Sequence, residues 1–184
     1  MKILVTGSKG FVGKNLIAEL KNRGYERIFE FDIDTDKSLL DEYTEECEFV
    51  FHLAGVNRPK DEKEFMKGNF GFTSELLDLL KKHNNKAPLL ITSSVQAQRD
   101  NPYGKSKKAG EDLLFTYGSE TGAKVLVYRL SNLFGKWSRP NYNSVVATFC
   151  HNIAWDLDIQ INDPEVELNL CYIDDVIKEF IKGM

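Results

Sequence analysis

The stretch Met1-Lys-Ile-Leu-Val-Thr-Gly-Ser-Lys-Gly-Phe-Val-Gly13 decides how the rest of the chain is read. Ile3, Leu4 and Val5 make a short continuous apolar run, the pattern of a strand buried on both faces of a parallel sheet. Glycines follow at Gly7, Gly10 and Gly13, and behind them comes an amphipathic stretch with Leu16, Ile17 and Leu20. A strand, a glycine turn and a helix in this order suit a dinucleotide. The turn lets the backbone approach a pyrophosphate, and the helix amino end offers free N–H groups and a partial positive charge. The G-x-x-G-x-x-G spacing is one residue longer between its first two glycines than the common fingerprint. Its flanking strand and helix supply the context that a glycine triplet alone lacks.

Working outward, Arg27 to Asp32 (RIFEFD) reads as a second strand. Asp32 stands at its carboxyl end, nineteen residues after Gly13, where a carboxylate accepts hydrogen bonds from the adenosine ribose and repels a 2′-phosphate. That favours NAD over NADP. A charged helical piece (Lys37 to Glu46) precedes a third strand, Glu48 to Leu53, which runs into Ala54 and Gly55. Ala54 and Gly55 are small enough to permit close approach of a bound cofactor, and Leu53 just before them is a further cofactor-binding candidate. Asp61 to His83 reads as one long helix with Phe65, Phe72, Leu76, Leu79 and Leu80 on its apolar face. Leu89 to Ser93 is a fourth strand, Pro102 to Glu120 a helix, and Lys124 to Leu130 a fifth strand.

This alternation predicts an α/β fold, a Rossmann-type doubly wound parallel sheet with its ligand crevice at the strand carboxyl ends. Beyond Leu130 the alternation breaks down. Ser131 to Asn143 reads as a long loop above the crevice. A helix (Ser144 to Trp155), two short strands (Ile159 to Ile161 and Val166 to Cys171) and a last helix capped by Asp174 and Asp175 follow. The expected organisation is one dinucleotide-binding domain over residues 1–184. Residues 1–130 are its core, and 131–184 form a small, truncated, partial substrate-binding lobe.

The chain has 184 residues, 42% of them hydrophobic, and a formal net charge of −4, with no basic excess to suggest nucleic acid or an anionic membrane surface as partner. Cys47, Cys150 and Cys171 lie far apart among apolar neighbours, and read as three small buried hydrophobes in a reducing compartment. His52, His83 and His151 show no ligand spacing, so no metal is expected. No signal peptide precedes Lys2, and no apolar run approaches membrane-spanning length, which makes the cytoplasm the expected location.

A second cluster carries chemistry. Ser93 and Ser94 end the fourth strand, and Tyr103 and Lys107 follow four residues apart, one turn apart on the same helix face. A lysine ammonium near a phenol favours the phenolate and is expected to lower the Tyr103 pKa towards usable acid–base range. A serine hydroxyl at the strand end could hold a substrate oxygen in line with the phenol.

TGSKGFVG, HLAG, TSS, YGKSK and RLSNLFG, in that order, resemble the extended short-chain dehydrogenase/reductase family (NAD-dependent epimerases and dehydratases) acting on nucleotide sugars. HLAGVNRP, DNPYGKSK and NLFGKWSRPNYNSV look closest to its branch of capsular polysaccharide reductases. Those enzymes reduce a UDP-4-keto-6-deoxy-sugar with a nicotinamide cofactor. The resemblance implies that Gly7, Gly10 and Gly13 wrap the pyrophosphate of NAD or NADP, with Phe11 and Val12 beside it. It implies Ser94, Tyr103 and Lys107 as the catalytic set, with Lys107 also on the nicotinamide ribose. Asn132 would lie near the phosphates of the UDP-sugar, and Arg139 and Asn143 on the same substrate-side loop.

After Ser94 stand Val95 and Gln96, not the Asp-Glu pair of the dehydratases, so water elimination is disfavoured. Leu168 stands where many relatives carry an arginine that grips the UDP phosphates. Asp32 argues for NAD, whereas the capsular branch is expected to use NADPH. A reductase is the first expectation. An epimerase retaining its cofactor and a non-catalytic dinucleotide sensor or scaffold are the alternatives. Family habit also suggests a homodimer formed through the 61–83 and 102–120 helices.

Overall fold

A computed structural model describes all 184 residues. Five strands form one wholly parallel sheet: β1 (Lys2–Thr6), β2 (Arg27–Phe31), β3 (Phe49–His52), β4 (Leu89–Ser94) and β5 (Val125–Leu130), in the order β2-β1-β3-β4-β5. The connections run one way from β1 to β2 and the other way from β3 onward. The crevice therefore opens where β1 and β3 lie side by side, at their carboxyl ends.

Alternation along the strands divides the core in two. Leu4 and Val50 point to one face, beneath α2 (Ser38–Glu46), α4 (Phe72–Lys82) and α5 (Pro102–Thr121). There they join Leu40, Leu76, Leu80, Leu114 and Tyr117. Ile3, Val5, Phe49 and Phe51 point to the other face. They meet Leu16, Ile17 and Leu20 of α1 (Phe11–Asn22), and Ile173, Val176, Ile177 and Phe180 of α7 (Ile173–Gly183). The doubly wound sheet expected from the sequence is present.

Several local expectations are corrected. The predicted 61–83 helix is interrupted. A short α3 (Lys63–Phe65) leads into a π-helical segment, Met66–Gly71, before α4 begins. The predicted loop after residue 130 contains a strand, β6 (Asn132–Phe134), paired in parallel with β7 (Leu170–Tyr172). The expected strand at 159–161 is absent, and only the end of the 166–171 segment pairs. Their β-branched residues have no sheet edge to join, so local propensity goes unused. Tyr172, not an aspartate, caps α7; Asp174 and Asp175 lie in its first turn, where negative charge still favours a helix. Of the cysteines only Cys47 is buried, while Cys150 is exposed on α6 (Val145–Ala154) and Cys171 is half-buried.

Candidate active site

The glycine turn is shaped by close approach. Gly7 has φ +68°, and a Cβ there would stand 2.7 Å from the Ala54 backbone nitrogen. A Cβ on Gly13 would meet the Gly7 carbonyl at 2.2 Å. Gly10 caps α1 with no side chain, and the first turn holds no acidic residue, so the helix amino end keeps its N–H groups for an outside acceptor. Phe11, Val12 and Leu53 also pack, partly buried, against the α1-side core. Ala54 N–H donates to the Thr6 hydroxyl (3.3 Å), joining the β3 loop to the turn. Asp32 leaves β2 beside them, its carboxylate accepting from Lys9 N–H (2.7 Å) and Ile33 N–H (2.8 Å).

Ser94, Tyr103 and Lys107 are brought together by the junction of β4 and α5. Ser94 opens a 3-10 turn, Val95–Gln98, and its hydroxyl accepts the Gln96 N–H at 3.1 Å, leaving its own hydrogen to donate elsewhere. Asn101 caps α5 through Gly104 N–H (2.7 Å). Gly104 sits so close to the 3-10 turn that a Cβ would stand 2.2 Å from the Gln96 carbonyl oxygen. That contact sets Tyr103 against Ser94.

The phenol packs near Phe65, ring centroids 5.5 Å apart. Burial pushes its pKa above the usual value, with the Ser94 hydroxyl pulling the other way. The expected depression by Lys107 is therefore not met in the chain itself, where desolvation wins.

Lys107 is buried, 8% exposed, and its ammonium makes no ion pair and no hydrogen bond within the protein. Burial lowers its pKa to about 8, opposed by the nearby Glu111 carboxylate. Its Nζ lies beside Gly55, 3.4 Å from where a Cβ would be, and Asn69 Oδ1 is at 2.9 Å from the same point. The small residue at position 55 thus makes room for Lys107 and Asn69. An unpaired ammonium at the mouth of the β1–β3 crevice is a donor set waiting for hydroxyl or phosphate oxygens. Together with the glycine turn, the uncapped α1 terminus and Asp32, it fits a dinucleotide.

Sequence reasoning missed the polar network behind this set. His52, fully buried, bridges Thr6 Oγ1 (2.7 Å) and Thr73 Oγ1 (2.9 Å), and burial together with the charge of Lys107 lowers its pKa to about 3. The Thr73 hydroxyl donates to the Asn69 carbonyl (2.6 Å), and the Asn69 amide donates to Ser106 Oγ (2.9 Å) and to the Val56 carbonyl (3.1 Å). Ser106 in turn donates to the Tyr103 carbonyl at 2.8 Å. Asn69 lies in the π-helical segment, whose wider turn aims it at the β3 loop. Glu111, its side chain 1% exposed, binds Arg129 of β5 through two parallel bonds of 2.9 and 2.6 Å. Tyr103, Lys107 and Glu111 repeat every four residues, the one signal in the sequence that could have exposed this carboxylate.

The substrate-side residues are less gathered. Asn132 is exposed in β6 and donates to the Asn169 carbonyl (3.4 Å). Arg139 lies over the Tyr142 ring, and Asn143 is exposed just before Ser144, the cap of α6. Leu168 is exposed and offers no charge. No helix is long and apolar enough to cross a membrane.

The model of the NAD dependent epimerase/dehydratase family matches residues 3–182. The chain belongs to that family. It is 50% identical to a UDP-2-acetamido-2,6-beta-L-arabino-hexul-4-ose reductase of Pseudomonas aeruginosa, over all of this chain and 50% of that one. The crystal structure of the capsular polysaccharide assembling protein CapF from Staphylococcus aureus superposes with a TM-score of 0.90 at 49% identity, over all of this chain and 50% of CapF. A UDP-glucose 4-epimerase from Thermotoga maritima shares the fold, with a TM-score of 0.90 at 24% identity, over all of this chain and 73% of its own. The chain thus spans about half the length of the reductase and of CapF.

Proposed function

We propose that this chain is an NAD(P)-dependent nucleotide-sugar reductase acting on the C4 carbonyl of a UDP-4-keto-6-deoxy-sugar. One observation carries the reading: a buried, unpaired Lys107 ammonium shares one helix face with Tyr103, whose phenol packs against the strand-end hydroxyl of Ser94. Half-identity to a reductase of a UDP-hexulose supports the substrate class. The absence of a carboxylate at Val95 and Gln96 supports reduction over dehydration.

Gly7, Gly10 and Gly13 would hold the pyrophosphate, Asp32 the adenosine ribose, and Lys107 the ribose next to the nicotinamide. Bound there, the reduced nicotinamide supplies a hydride. The protein's own part is to hold the carbonyl oxygen and deliver a proton to it. Ser94 would donate its free hydroxyl hydrogen to that oxygen and fix it in line with Tyr103. Burial keeps the Tyr103 phenol protonated, as an acid must be before it acts. The Lys107 ammonium would then stabilise the phenolate left behind.

The test is reduction of a UDP-4-keto-6-deoxy-sugar with NADH and NADPH, followed by the loss of reduced-nicotinamide absorbance, in the wild type and in Tyr103→Phe. Stoichiometric cofactor oxidation is expected, with a loss of about 10²–10⁴-fold in the variant. Unchanged turnover in Tyr103→Phe would remove the acid from this position. Turnover without net cofactor oxidation would make the protein an epimerase.

A further inference from the structure

The loops on the carboxyl side of the sheet bring two arginines onto one aromatic ring. Arg58 lies in the segment after β3, and Arg139 and Tyr142 lie between β6 and α6. The guanidinium carbon of Arg58 is 5.5 Å from the Tyr142 ring centroid, and that of Arg139 is 5.7 Å from it. Neither guanidinium has a carboxylate partner or a hydrogen bond within the protein, whereas Arg23 and Arg129 are each held by a glutamate. Two like charges gathered on one ring repel each other, and the negative ring face offsets only part of that repulsion. Each guanidinium presents about five N–H donors in a fixed fork. The pair matches a ligand carrying several anionic oxygens.

The location narrows the ligand. Arg58 follows Gly55, the residue beside Lys107 Nζ, by three positions, and three residues of chain span at most about 11 Å. An anion held by Arg58 therefore lies within about the length of a nucleotide sugar from the Lys107 and Tyr103 pocket. A nucleotide sugar puts one hexose ring between its C4 carbon and its diphosphate. The dinucleotide's own pyrophosphate has a separate cradle at Gly7 to Gly13, so an anion site here serves a second ligand.

We propose that Arg58 and Arg139, gathered on the Tyr142 ring, clamp the diphosphate of the nucleotide-sugar substrate. This rests on the nucleotide-sugar reading above and assigns that substrate's anionic group to residues of this chain. The Tyr142 ring acts as a spacer that pre-orients both forks, so little freedom is lost when the phosphates arrive.

The test is calorimetric titration of the full chain with UDP, inorganic pyrophosphate, uridine and, separately, NADH. Wild type is expected to bind UDP and pyrophosphate far better than uridine, with affinity falling as salt rises. Arg58→Ala and Arg139→Ala are each expected to weaken UDP about ten- to hundredfold, with NADH affinity within about twofold of wild type. Tyr142→Phe keeps the ring and the affinity; Tyr142→Ala loses affinity. All four substitutions fall at three exposed loop positions, so thermal melts should superimpose. UDP affinity unchanged in both arginine variants overturns the clamp while leaving the nucleotide-sugar reading in place. Failure of wild type to bind UDP or pyrophosphate while it binds NADH overturns both. Equal loss of NADH in the arginine variants assigns the pair to the cofactor instead, and also overturns the clamp.

Discussion

Residues 131–172 are richer in apolar side chains than residues 1–130, yet the two regions use them to opposite ends. In the first region, hydrophobic side chains close two cores around the sheet, and the polar groups between them are paired to one another through Thr6, His52, Thr73, Asn69 and Ser106. In the second, α6 has no buried residue, and Trp137, Ile153, Trp155, Leu157, Ile161 and Val166 are all exposed. The contrast separates two tasks. Holding a cofactor requires groups fixed to fractions of an ångström by a packed scaffold. The second region supplies surface, and its hydrophobic residues contribute little to the stability of this chain.

The sharpest break of that contrast is expected at the ion pair that covers Glu111. Arg129 is itself solvent-exposed, but Arg129→Met leaves the Glu111 carboxylate, 1% exposed, without its partner and should lower unfolding free energy by up to about 3 kcal/mol, read by urea denaturation. Gly13→Ala should cost about 3 kcal/mol, because its Cβ would press on the Gly7 and Ser8 carbonyl oxygens, and NADH binding should disappear with it.

His52 sharpens the comparison through pH. Its folded pKa, about 3, lies below the ordinary unfolded value of 6.5, so the unfolded chain binds the proton more readily between those two values. Stability is therefore lost as pH falls through that window, by about 2 kcal/mol at pH 5. Melts at pH 7 and pH 5 should show this loss in wild type and not in His52→Gln.

Lys107 is shifted in the same direction as His52, in a higher pH window. Its folded pKa of about 8 lies below 10.5, so its charge destabilises the fold at neutral pH, and the penalty fades as pH rises from 8 to 10.5. Lys107→Met should raise stability by about 1 kcal/mol at pH 7 and abolish NADH binding, a stabilising change at a binding residue. The smallest effect is expected in the second region. Trp155→Ser, at a side chain 71% exposed, should move the melting midpoint by no more than about 2 °C.

Much of the fold was legible because its signals are local. Continuous apolar runs mark β1, β3 and β4, and the glycine spacing marks the turn, since no other residue tolerates the contacts at Gly7 and Gly13. The shared helix face of Tyr103 and Lys107 was legible through helix periodicity, whereas Ser94 was singled out from Ser93 by the family resemblance alone. What stayed hidden depends on distant partners. The β6–β7 ladder joins residues 38 apart, and nothing in the short NLF stretch announces it. Asn69 reads as an ordinary helix residue until the π-helical turn aims it at Val56 and Ser106. Arg58 and Arg139 are far apart in the chain, and only the Tyr142 ring reveals them as a pair.

The shared cluster of β1 and α7 has a consequence for biogenesis. Ile3 and Val5 are translated about 170 residues before Ile173 to Phe180, which help to cover them. The part of that face which α1 leaves uncovered therefore stays bare until α7 is made, a greasy surface that a holdase could occupy until the closing helix docks. A premature stop before Ile173 would leave Phe49 and Phe51 open to water and mark the product for degradation.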